Sequence, residues 1–197
     1  MSGTGALVGF IGLGMMGLPM ARSLLRRGRS LIACDTSAAA RAALAEGCAP
    51  GAVCFAETPA AVADVAQAIV LMLPDSRIVA QVMEGSGGLL SGLRSGQIVI
   101  DMGSSVPAET KRLAALAAAR GAALIDAPVS GSVVKARAGM LAIMAGGDDA
   151  AWARAEPVLR DMGSSLHGSK AAPWWPVSTV AGSPPMLVRC CSAPPTG

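Results

Sequence analysis

The sequence predicts an α/β domain built on a Rossmann-type, doubly wound and mostly parallel sheet. Three observations predict it. A Gly-x-Gly-x-x-Gly run (Gly12, Gly14, Gly17) stands between a short apolar run and an amphipathic helical period. An acid, Asp35, ends the next apolar run. Beyond it, short apolar runs alternate with helical periods as far as residue 162, the order expected of strands with crossover helices.

Each element has its own signal. Residues 7–11 read as a buried strand, and residues 16–27 as a helix with Met16, Met20, Leu24 and the flanking Ala21 and Leu25 on one face. Gly28 is placed to end that helix. Residues 30–34 form the second strand, and Thr36 or Ser37 caps a helix over 38–45. Residues 53–55 are a third short strand, and Pro59 opens a helix over 60–65. The continuous apolar run 68–73 fits a strand covered on both faces. Asp75 or Ser76 caps a helix running to Met83, and 85–96 reads as loop. Strand 97–100 ends at Asp101, and Pro107 is the favoured first residue of helix 108–120. Strand 122–125, a Gly-rich segment 128–139, strand 140–145 and a helix 150–162 capped by Asp148 or Asp149 complete the pattern. Ligands of such a sheet collect at the carboxyl ends of its strands.

The glycine run has a mechanism at that place. Gly12 permits a tight turn, Gly14 lets the backbone approach a pyrophosphate, and Gly17 lets the helix pack close to the strand. The helix N-terminus adds free N–H groups and a partial positive charge. Gly12, Leu13, Gly14, Met15, Met16 and Gly17 are therefore read as a dinucleotide phosphate site, against the alternative of a glycine-rich turn without a ligand. The Asp35 carboxylate can accept both ribose hydroxyls of NAD and repels the 2′-phosphate of NADP. NAD is the cofactor expected, ahead of NADP.

Composition narrows the remaining classes. The chain is 52% hydrophobic with a mean hydropathy of +0.53, enough for a large core. Aromatics make up 3% and Tyr is absent, so that core is built from Ala, Val, Leu, Ile and Met. No apolar run is long enough to span a bilayer and no basic, then apolar, leader opens the chain. A cytoplasmic protein with no membrane partner is expected. A net charge of +3, scattered and with few aromatics, offers no stacking surface for nucleic acid. Five cysteines, with no C-x-x-C, point to a reducing compartment, and Cys34, Cys48 and Cys54 read as small core residues. The single histidine, His167, argues against a His-based metal site and a Ser-His-Asp triad, so no metal is expected.

The segment Gly-Phe-Ile-Gly-Leu-Gly-Met-Met-Gly-Leu-Pro-Met-Ala (9–21) resembles the N-terminal signature of the 3-hydroxyisobutyrate dehydrogenase family of β-hydroxyacid dehydrogenases, which carry an NAD(P)-binding domain of the 6-phosphogluconate dehydrogenase type. Three further segments follow in the family's order: Met-Leu-Pro-Asp-Ser (72–76), Asp-Met-Gly-Ser-Ser-Val-Pro (101–107) and Asp-Ala-Pro-Val-Ser-Gly-Ser (126–132), the last with Gly139 and Met-Ala-Gly-Gly (144–147) behind it. The resemblance covers residues 6–167, and Val-Val-Lys-Ala (133–136) is similar to the L-threonate dehydrogenase branch. It implies hydride transfer between a small 3-hydroxy acid and a nicotinamide. It implies that Leu73 and Pro74 line the cofactor groove, that Ser104 stands near the nicotinamide where the family has Thr, and that Ser130, Gly131 and Ser132 bind the substrate carboxylate. Ser132 replaces a family glycine, so a tighter or differently folded loop is expected there. Strand end, turn and cap are the bland readings of the same residues. Lys135 and Arg137 read as solvated loop charges that could also attract an acidic substrate.

The resemblance also implies what this chain departs from. The family's general base is a Lys on a long helix after the last strand, followed by an Asn one turn on. Lys170 lies in a Pro/Trp/Ser stretch with no Asn beyond it, and Lys111 belongs to an earlier helix. No catalytic residue is assigned. Residues 168–197 hold six of the 13 prolines and no Asp or Glu, so an irregular, unstructured tail is expected after a Rossmann domain over 1–167. Such a composition is what a shifted reading frame in GC-rich DNA would give, and the codons after His167 test that idea. The family's C-terminal helical domain is expected to be missing and its homo-oligomer compromised. Two functions remain open: a β-hydroxyacid dehydrogenase, and a catalytically inactive cofactor-binding fragment or pseudoenzyme, the latter preferred for the chain as written. A Rossmann domain that binds no nucleotide is the third reading.

Overall fold

The computed structural model describes residues 7–169. Strands β1 (Val8–Ile11), β2 (Leu31–Cys34), β3 (Val53–Phe55), β4 (Ala68–Leu71), β5 (Ile98–Asp101) and β6 (Ala123–Asp126) run parallel in the order β3-β2-β1-β4-β5-β6. The order reverses between β1 and β4, so the crevice beyond their carboxyl ends is the place where this topology holds ligands. Beyond β6 the sheet continues through β8 (Leu141–Gly146), which is antiparallel to β6 and to the two-residue strand β7 (Val129–Ser130). Strand β9 (Gly163–Ser169) joins β8 in parallel.

Side-chain alternation along the strands builds two cores. Val8 and Phe10 of β1, with Ile98, Ile100 and Ile125, pack under α1 (Gly17–Arg26) and α8 (Asp149–Arg160), where Met20, Leu24, Trp152 and Leu159 are buried. Ile11, Ile69, Leu71, Val99 and Leu124 face the other way, against α3 (Pro59–Ala63), α4 (Ser76–Glu84), α5 (Leu89–Gly92) and α6 (Pro107–Ala118). Strands with both faces covered explain why these runs are apolar without alternation. Caps fix the helix starts: Ser37 accepts from the Ala40 N–H before α2 (Ala38–Ala45), Asp75 from Ile78 before α4, and Asp148 from Ala151 before α8.

The structure corrects the sequence reading at four places. The 85–96 loop contains α5, and the Gly-rich segment contains β7 and α7 (Val133–Ala138). The segment Gly163–Ser169 is a strand although it has no apolar alternation. It forms by pairing with β8, and Gly168 lies so close to the Trp152 ring that a Cβ would stand 2.3 Å from it. The sheet thus reaches two residues past the boundary at 167; the rest of 168–197, with Lys170, lies outside the described residues. Cys54 is exposed rather than in the core, because β3 is the edge strand, whereas Cys34 is buried. No helix among the described residues is long and apolar enough to cross a membrane.

Candidate dinucleotide site

The carboxyl end of β1 turns at Gly12, whose φ is +96°, a region that side chains rarely adopt. A Cβ there would stand 2.4 Å from the Met72 carbonyl oxygen. At Gly17, the first residue of α1, a Cβ would stand 1.9 Å from the Gly12 carbonyl oxygen, so turn and helix touch through backbone alone. Around Gly14 a Cβ would meet nothing within 4 Å. The space above the loop at Gly14 is therefore open. Helix α1 has Met16 at its N-cap, with no side-chain cap and no acid in its first turn; its Leu18 N–H donates to the Gly14 carbonyl at 3.0 Å, and its positive dipole end favours an anion.

Asp35, just beyond β2, closes on this loop. Its Oδ2 accepts from the Leu13 N–H at 2.5 Å and its Oδ1 from the Ser37 N–H at 2.7 Å. A carboxylate has about four lone-pair positions, so both oxygens retain capacity for a ribose diol. A cleft of about 650 Å³ gathers Gly12, Gly14, Asp35, Leu73 and Pro74, all marked in the sequence, and adds Thr36 and Arg41. Arg41 escaped the sequence reading. It stands one turn into α2 and donates to the Asp35 carbonyl oxygen, a contact that spacing alone does not reveal. Leu13, Gly14 and Met15 also line a second, arginine-bearing cavity of about 790 Å³ bordered by α1, α2 and α7. Burial pushes the Cys34 thiol in the cleft wall up, which keeps it protonated and unreactive.

Further along the strand ends lie the two Ser-containing loops. Ser104 is exposed, while its neighbour Ser105 turns inward and donates to Asp101 Oδ2 at 2.5 Å. Asp101 Oδ1 accepts from the Gly103 N–H at 3.1 Å. The Val106 N–H donates to Ser76 Oγ at 2.6 Å, tying the start of α6 to that of α4. Ser130 ends β7 and is exposed, and Gly131 has φ +152°. Ser132 has an ordinary extended backbone, φ −94° and ψ 168°, and caps α7 through the Lys135 N–H. That backbone conformation at 132 is open to any residue and makes no demand for glycine. Ser104, Ser130, Gly131 and Ser132 line neither of the two cavities described above.

Asp101 and Asp126 are register partners on β5 and β6. Burial pushes the Asp101 carboxyl up, against the opposing pull of the Ser105 hydroxyl and the Gly103 N–H. Burial first, and then the Asp101 charge, push Asp126 up to about 7.

The sheet order, the glycine turn and the carboxylate on it define a dinucleotide-binding α/β domain. The chain belongs to the family described as the NAD binding domain of 6-phosphogluconate dehydrogenase, whose model matches residues 7–172. It is 41% identical over 164 residues to 2-(hydroxymethyl)glutarate dehydrogenase of Eubacterium barkeri, covering 81% of this chain and 52% of that enzyme. It is 39% identical to mitochondrial 3-hydroxyisobutyrate dehydrogenase of Mus musculus, covering 81% of this chain and 46% of the relative. The solved 3-hydroxyisobutyrate dehydrogenase of Mycobacterium tuberculosis with L-serine superposes with a TM-score of 0.76 at 29% identity, over 83% of this chain and 54% of that one. The family that the motifs resemble is thus among the relatives. The chain spans about half the length of the curated relatives it matches.

Proposed function

We propose that residues 7–169 are the cofactor-binding half of an NAD-dependent oxidoreductase that moves hydride between a small 3-hydroxy acid and the nicotinamide. The observation that carries this reading is the Asp35 carboxylate seated on the glycine loop beside the open space at Gly14. The relatives' names, dehydrogenases of short hydroxy acids, supply the substrate class. In this reading Gly12, Leu13, Gly14, Met15, Met16 and Gly17 hold the pyrophosphate and Asp35 holds the adenosine ribose. Leu73 and Pro74 form the apolar side of the groove. Ser104 hydrogen-bonds at the nicotinamide end, and Ser130, Gly131 and Ser132 take the substrate carboxylate. Bound NAD supplies the hydride acceptor; the chain's residues bind, orient and exclude water.

A second reading, a cofactor-binding chain without turnover, is favoured by one observation. Among the described residues, no Lys, His or Tyr lines the cleft, and His167 is exposed on β9, bonded to Ser165 Oγ at 2.7 Å. Alcohol oxidation needs a base for the hydroxyl proton. A positioned base contributes about 10²- to 10⁴-fold, or roughly 3 to 5 kcal/mol of barrier. The purified 197-residue chain is expected to bind NADH yet to form it from 3-hydroxyisobutyrate, L-threonate or D-glycerate at least about a hundred-fold below the usual ~1–10³ s⁻¹ of enzymes. Steady-state absorbance at the NADH band reads this. Turnover in the usual range sinks the second reading, and absence of NADH binding sinks both.

A further inference from the structure

The carboxyl ends of β5 and β6 carry a pair of carboxylates that the cofactor and substrate assignments do not use. Asp101 and Asp126 are register partners on adjacent parallel strands, so their side chains leave the same face of the sheet. Asp101 is 1% exposed, and both its oxygens accept bonds from the 102–106 loop, from the Gly103 N–H and the Ser105 hydroxyl. A carboxyl group whose two oxygens each accept a bond is served best as a carboxylate, so Asp101 is the ionised member. Asp126 is different. Its Oδ1 is buried with no hydrogen-bond partner. A charged oxygen left so would be strongly disfavoured, and a proton on the group removes both that charge and its repulsion with Asp101. The two strand ends are also joined directly, since the Ala127 N–H donates to the Asp101 carbonyl oxygen at 2.7 Å.

We infer that Asp101 and Asp126 hold one proton between them, carried on Asp126, and that Asp126 is thereby a positioning residue that keeps the 102–106 loop and the 127–132 loop in register at the site. This rests on the reading that those loops serve cofactor and substrate. Among the described residues, the charged groups on the neighbouring elements are exposed or engaged elsewhere. Asp101 is the charged group that acts on Asp126. Helix α6 turns Thr110 and Leu113 inward, while Lys111 and Arg112 are exposed and Glu109 pairs with Arg112. On β8 the partner of Asp126 is Gly146, which has no titratable group. Asp148, beyond it, is engaged as the cap of α8.

The sign follows from the direction of the shift. A carboxyl raised to about 7 in the folded chain binds more protons than the unfolded chain does from about pH 4 upward. The stability it supports is present at low pH and is lost as pH rises through about 7. Ionised Asp126 repels Asp101 and loosens both loops.

The test combines a direct titration with a functional one. Carbon-13 NMR of the aspartate carboxyls follows Asp126, assigned by its absence in Asp126→Asn. NADH affinity and denaturant stability are measured from pH 5.5 to 8.5 in the wild type, Asp126→Asn and Asp101→Asn. The expected result is an Asp126 midpoint near neutrality that drops in Asp101→Asn. NADH affinity of the wild type falls several-fold across the range, while Asp126→Asn, which mimics the protonated group, stays at the low-pH value throughout. An Asp126 midpoint below pH 5, or parallel pH profiles in wild type and Asp126→Asn, overturns the inference. If no variant binds NADH, the cofactor reading fails by itself, and the NMR midpoint with the pH dependence of stability still decides the shared proton.

Discussion

Gly17→Ala is expected to lower the stability of the chain by about 3 kcal/mol, at the upper end of ordinary overpacking, while Gly14→Ala leaves stability within about 0.5 kcal/mol. The difference comes from what each Cβ meets. At Gly17 it stands 1.9 Å from the Gly12 carbonyl oxygen and 2.9 Å from its carbon. Both are backbone atoms of a turn already held at φ +96° and pinned by the Gly12 N–H to the Cys34 carbonyl. Neither can move without pulling β1 from β2. At Gly14 the Cβ enters empty space. The functional order is the reverse for a folded chain: Gly14→Ala fills the space assigned to the pyrophosphate and is expected to weaken NADH binding at least about tenfold, or roughly 1.4 kcal/mol. Thermal melting and NADH titration on both variants separate the effects. For a domain of this size the Gly17→Ala loss corresponds to roughly 6–12 °C in Tm. A Gly17→Ala chain as stable as the wild type contradicts the packing argument, and unchanged NADH affinity in Gly14→Ala contradicts the placement of the pyrophosphate.

Asp35→Ala is expected to weaken NADH binding by about 10- to 100-fold, since hydrogen bonds to a charged group contribute about 1.5–3 kcal/mol each. Two losses add. The ribose hydroxyls lose their acceptor, and the Leu13 and Ser37 N–H groups lose the carboxylate that holds the glycine loop against the start of α2. NADPH binding changes less, because the repulsion of its 2′-phosphate disappears while Arg41 stays in the cleft. Asp35→Asn removes the charge and keeps the shape, so it is expected to narrow the preference for NADH with a smaller loss of affinity. Titrating both cofactors against the three proteins measures this. A constant ratio of NADH to NADPH affinity across them contradicts the role given to Asp35.

The parallel half of the fold was legible because its central strands, β1, β2, β4 and β5, are buried on both faces. Continuous apolar runs such as that of β4, bounded by Pro74 and cap residues such as Asp75, admit one reading. The glycine loop was legible for a related reason: each of its glycines answers a separate steric demand at fixed spacing, and Gly12 and Gly17 are found doing so. Legibility failed where tertiary pairing overrides local pattern. The run Gly-Ser-Ser-Leu-His-Gly-Ser has no strand signal and becomes β9 through β8 and Trp152. The Gly-rich segment hides α7, a helix of six residues whose start depends on the Ser132 cap. Arg41 and Asp126 were missed as site residues because their significance lies in partners distant in sequence: Arg41 in the Asp35 carbonyl, Asp126 in the strand register with Asp101.

An NAD site read by Asp35 prefers NADH to NADPH. Calorimetric titration of the purified chain with NADH and, separately, NADPH tests it most directly. One saturable NADH site per chain, with NADPH at least about tenfold weaker, is the predicted result. A folded chain that binds no NADH, or that binds NADPH as tightly or more tightly, would contradict it.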